Sequence, residues 1–139
     1  MLVLRLENKD RKLCTRGRPA ESLNAATDWN PLPSPYNDMG YKTVNYYEDK
    51  HGFEMWNCGV ANWTQYKIWW KPEKLKELRK SRTVILDVKE DEVLKGKYQV
   101  IFPRRKARIV GEVDHTRLKP KWYKPLKHSS TTEKERLFR

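Results

Sequence analysis

Three histidines (His51, His115, His128) and two cysteines (Cys14, Cys58) are the side chains best suited to hold a metal or act as nucleophiles. None of the five stands at ligand spacing from another, and no C-x-x-C pair exists for zinc or redox work. Asp114 and His115 adjoin, but no serine sits in the turn a nucleophile needs. Glu90, Asp91 and Glu92 form an acidic run without the alternating oxygen ligands of a calcium loop, so a solvated turn is expected. The six glycines are scattered and make no phosphate-binding loop. These patterns lead us to expect no catalytic residue, no metal and no cofactor.

The basic residues offer a different chemistry. Arg104, Arg105 and Lys106 crowd one expected hairpin tip, with Arg108 next along the strand. A tight turn fixes their backbones, so several guanidinium forks can meet successive phosphates at small entropic cost. The competing reading is a solvated loop. Further on, Arg117 and Lys119 lead into Lys121, Trp122, Tyr123, Lys124 and Lys127. Lysines interleaved with aromatics suit RNA, the lysines meeting phosphate and the rings stacking on unpaired bases. Against this stands the alternative that Trp122 and Tyr123 anchor the tail onto the protein's own core. These eleven positions are the expected RNA-binding residues.

The elements that would position them read as follows. Residues 8–38 look like an irregular extension, with Pro31, Pro33 and Pro35 favouring a polyproline-like path. Residues 43–47 are rich in strand formers, 48–52 are turn-like, and 53–56 can return as a second strand. Residues 64–69 alternate between two faces. Pro72, Leu75 and Leu78 predict a short helix ending near Ser81. Strands are expected at 83–88, 98–102 and 107–113, joined as an antiparallel meander. The expected fold class is therefore α+β: a small antiparallel meander with one short helix and long irregular extensions. The expected organisation is an extension at 1–40, a domain at 41–118 and a basic extension at 119–139. There is no apolar run of 18 residues, so no membrane span is expected, and the opening apolar stretch is too short for a signal-peptide core.

Composition narrows the partners. The chain has 139 residues and a net charge of +12, but only 37% apolar types, partly offset by six Trp and seven Tyr. The charge is segregated: net +4 over residues 1–20, net −2 over 21–94 and net +10 over 95–139. A polyanionic partner explains basic ends around a neutral centre, because each Lys or Arg laid on phosphate releases condensed counterions. The reading that follows is a structural subunit of a ribonucleoprotein. It would bind structured RNA such as rRNA and neighbouring proteins, inside the cell, with a mitochondrial ribosome favoured over the cytoplasm. Two alternatives stay open: a soluble accessory subunit of a respiratory or other membrane complex, and a DNA-binding or chromatin adaptor.

The DNA alternative has a sequence basis. Gly96-Lys97-Tyr98-Gln99-Val100-Ile101, Arg108-Ile109-Val110 and His115-Thr116-Arg117-Leu118-Lys119-Pro120 resemble the closing strands of the SH3-like C-terminal domain of retroviral integrases. The resemblance covers about 25 residues in all. It implies a small barrel that binds nucleic acid. The catalytic acids and the zinc-binding domain of that family have no counterpart here, so it implies nothing enzymatic.

Overall fold

Leu2, Leu4 and Leu6 alternate with Val3, Arg5 and Glu7, a period-two pattern that gives one strand two distinct faces. In the computed structural model, which describes residues 1–11, 33–52, 56–70 and 81–139, this run is β1 (Leu2–Asn8). It pairs antiparallel along its whole length with β3 (Ser81–Asp87), from Leu2 opposite Asp87 to Asn8 opposite Ser81. Beyond β3 lie β6 (Arg108–Asp114) and then β7 (Lys119–Trp122), giving the order β1-β3-β6-β7. A second antiparallel sheet, ordered β2-β5-β4, is built from β2 (Asn57–Gly59), β4 (Leu94–Lys95) and β5 (Val100–Phe102). Reciprocal backbone hydrogen bonds between Leu4 and Val60, both 2.9 Å, tie the two sheets together.

Both faces of the larger sheet are covered, which is why β1 and β3 are apolar on successive residues. One face carries Leu2, Leu4, Leu6, Ile85, Val110 and Val113 against Tyr66, Trp70 and Leu137. Those last three come from or adjoin two short helices, α3 (Trp63–Trp69) and α4 (Thr131–Leu137). The other face carries Val3, Val84 and Leu86 against Val100 and Phe102 of β5. On its outer side the smaller sheet packs Ile101 against Val44 and Tyr47 of α2 (Tyr41–His51), flanked by α1 (Pro35–Met39). Each fully buried leucine contributes about 1.5–3 kcal/mol. Gly59 permits the close approach of the sheets: a Cβ there would lie 2.6 Å from Val3 Cγ1 and 3.0 Å from Leu4 O.

Several sequence expectations are corrected by this arrangement. The antiparallel α+β class stands, but the sheet is open among the described residues and no closed barrel is found. The segments resembling the integrase domain fall in different sheets, β5 in one and β6 with β7 in the other. For the same reason residues 103–106 are no hairpin tip: Arg104–Lys106 is a 3-10 turn leading from one sheet to the other. Residues 43–47 and 64–69 are helical. Val44, Tyr47 and Glu48 are buried at helical spacing, and Asn62 Oδ1 caps α3 by accepting from Gln65 N at 2.9 Å. Start and end of the chain, expected as extensions, carry β1, β7 and α4, and Leu137 is 1% exposed in the core. The predicted helix from Pro72, like residues 12–32 of the expected extension and residues 53–55, lies outside the described residues, whereas Pro35, expected on a polyproline-like path, opens α1.

Candidate nucleic-acid interface

The structure sorts the predicted basic residues into those already partnered and those left free. Arg104 is partnered. Its Nε and Nη2 donate to Glu7 Oε2 and Oε1 at 3.0 and 2.7 Å, a two-pronged pair sealed from water. Glu7 also accepts from Arg5 Nε at 2.9 Å, and Arg5 spends its remaining donors on the carbonyls of Cys58 and Arg11. Burial alone would raise the Glu7 pKa, but the two guanidiniums outweigh it and hold the carboxyl below its usual value. Arg104 therefore belongs to the interior. Arg5 and Glu7 were detectable in sequence only as two charged residues sharing one face of an apolar strand.

The acidic 3-10 turn at Glu90–Glu92 absorbs further bases. Lys95 Nζ lies 2.8 Å from Glu90, Lys106 Nζ 3.3 Å from Glu92, and Lys89 Nζ 4.0 Å from Asp91. Lys106, itself exposed, is thus drawn to a carboxylate, whereas the exposed Arg105 and Arg108 form no ion pair among the described residues. Asp114 and His115 also have structural employment. Asp114 Oδ1 accepts from the backbone of Thr116 and Arg117 in the turn before β7. His115 Nε2 accepts from Thr83 N at 3.1 Å, and the Thr83 hydroxyl lies 2.9 Å from that nitrogen and 2.6 Å from the Tyr66 hydroxyl. Among the described residues no group of three His, Cys, Asp or Glu side chains could hold a metal. Burial pushes the Cys58 thiol up to about 11, leaving it protonated at neutral pH.

What remains is a row of lysines along one edge. β7 pairs with β6 from Lys119 opposite Asp114 to Trp122 opposite Gly111. The chain then continues beside β6, with Tyr123 N and Lys124 N both donating to Val110 O. Next, Lys127 N and His128 N donate to Asp87 Oδ2 at 2.5 and 2.8 Å, and Ser129 Oγ donates to Oδ1 at 2.8 Å. Lys119, Lys121, Lys124 and Lys127 are all exposed, and among the described residues none of them forms an ion pair. Arg117 is exposed in the turn at one end of this row, and Arg108, opposite Asp87, lies towards the other.

The two aromatics of this segment part company. Trp122 is half-buried against the core, and its ring is covered by Lys134 Nζ at 4.6 Å from the centroid. Tyr123 is 43% exposed. By the alternation of the strand it shares a face with Lys119 and Lys121. Burial raises its phenol pKa, with Arg82 lowering it and Glu112 raising it, so both charged groups stand near the ring. Neither Arg82 nor Glu112 was singled out in the sequence; the register sets Glu112 opposite Lys121, the neighbour of Tyr123 on its face.

An open antiparallel sheet with a cationic edge strand is the class of structure defined here, and among the described residues no helix is long and apolar enough to cross a membrane. The chain belongs to the bacteriophage T4 Y00F protein family, whose profile matches residues 1–116. That match takes in β1 to β6; β7 and α4 follow it. No curated protein and no solved structure matches the chain.

Proposed function

We propose that this protein is a non-catalytic subunit of a ribonucleoprotein that holds RNA along its β7 edge. The observation carrying this reading is the segregation of cations. Glu7 and the acidic turn pair with Arg104, Lys89, Lys95 and Lys106, while Lys119, Lys121, Lys124 and Lys127 stay exposed and form no ion pair among the described residues. Exposed lysines gathered on one short segment, with no ion pair among the described residues, are available to phosphate. Arg105, Arg108 and Arg117 can add peripheral contacts.

Salt dependence tests it. Each phosphate contact to a single strand contributes about 0.7 to the slope of log K against log salt. Binding of a labelled structured RNA should weaken steeply between about 50 and 200 mM salt. Replacing Lys119, Lys121, Lys124 and Lys127 by Ala should reduce the slope by about 3. Absence of RNA binding at about 50 mM salt, or an unchanged slope in the quadruple variant, defeats the proposal.

A further inference from the structure

We infer that the nucleic acid held at this edge is single-stranded, with one unpaired base stacked on Tyr123; this rests on the RNA reading above. Three features of the edge select one strand over two. Lys119 and Lys121 form a single row, since they sit on one strand about 7 Å apart at the usual rise per residue. Directly beside them on β6, Glu112 faces Lys121 and Asp114 faces Lys119 in register. A second phosphate row laid inward of the lysines would meet those carboxylates, so the surface accepts one backbone and repels its complement. Thirdly, Tyr123 presents an exposed ring where the pairing with β6 continues, on the face that alternation gives Lys119 and Lys121. A duplex hides its base faces in the stack, whereas a single strand can offer one to a ring.

The same geometry limits stacking to a single position. Trp122, next in the chain, points to the opposite face, packs on the core and is covered by Lys134.

The test is a fluorescence-anisotropy titration of a labelled 12-nucleotide RNA, alone and annealed to its complement, against the full chain. The single strand should bind at least tenfold more tightly than the duplex. Tyr123→Ala should weaken single-strand binding about 5- to 100-fold, the range for loss of one base–aromatic stack, with the salt slope unchanged. Tyr123→Phe should retain the wild-type affinity. Tyr123→Leu, which keeps apolar bulk and lacks a stacking face, should behave like the Ala variant and guards against a folding defect in it. Equal binding of strand and duplex, or full affinity in the Leu variant, overturns the single-strand inference and leaves the RNA reading standing. Failure of both probes to bind at about 50 mM salt removes the two together.

Discussion

Replacing Arg104 by Met keeps an apolar stem of similar length and deletes the guanidinium that grips Glu7. Two charge-assisted hydrogen bonds, at 3.0 and 2.7 Å, are lost. At about 1.5–3 kcal/mol each they amount to roughly 3–6 kcal/mol. Two effects reduce that cost. Glu7 keeps the bond from Arg5 Nε, and removal of Arg104 relieves the repulsion it exerts on Arg5. The expected loss is therefore about 3 kcal/mol, at the lower end for breaking a buried pair. Glu7→Gln should cost more, about 4–5 kcal/mol, because two guanidiniums that are 1% and 5% exposed then lose their only shared carboxylate. Urea unfolding followed by tryptophan fluorescence measures this as a fall in midpoint at constant slope. The double variant should lose less than the sum of the single ones. Arg105→Ala, at an exposed neighbour, should stay within about 0.5 kcal/mol of wild type. If Arg104→Met proves as harmless as Arg105→Ala, the side chain is a surface base and the reasoning from burial fails.

Two further outcomes are expected. Burial raises the Asp87 pKa, but the backbone of His128 and Lys127, the Ser129 hydroxyl and the terminal ammonium of Met1 outweigh it and hold the group below its usual value. The folded pKa being the lower one, its contribution is complete above the ordinary aspartate pKa of about 3.9 and is lost as pH falls through the folded value. The melting-temperature advantage of wild type over Asp87→Asn should accordingly be constant near neutrality and vanish in the acid limb; an advantage that persists at the lowest pH contradicts this. Deleting residues 119–139 removes β7, the Asp87 contacts and Leu137, so the melting temperature should drop by about 10 °C or more. A shift of only about 2 °C would show the segment to be an appendage.

The sequence was most legible where one element answers to one local signal. Residues 83–88 announce a strand because Thr83, Val84, Ile85 and Val88 are β-branched and suit a buried strand, and β3 occupies Ser81–Asp87. The acidic run at 90–92 turns as expected. The helices at 43–47 and 64–69 were misread because aromatic and β-branched residues suit a half-buried strand. Signals to the contrary were present: Asn62 with Gln65 three residues on, and Val44 with Tyr47 and Glu48 at helical spacing. β1 was missed as a strand because its partner is distant in sequence. For the interface, the exposed lysines of the β7 segment could be proposed from composition. That Arg104 turns inward could not, since its carboxylate partner stands 97 residues away in the chain.

That same distance has a kinetic side. β1 can complete its ladder only after β3 has been made, because Leu2 waits for Asp87 and Asn8 for Ser81. While the ribosome adds the intervening residues, Leu2, Val3, Leu4 and Leu6 travel as a water-exposed apolar strand with no permanent neighbour. Folding of the larger sheet is thereby a late, long-loop event, slow relative to helix formation and open to trapping by other chains. Arg5 and Glu7 interrupt the apolar run during that interval, breaking the low-charge stretch that self-association needs. The two charges that break the apolar run before folding are the ones the finished fold buries.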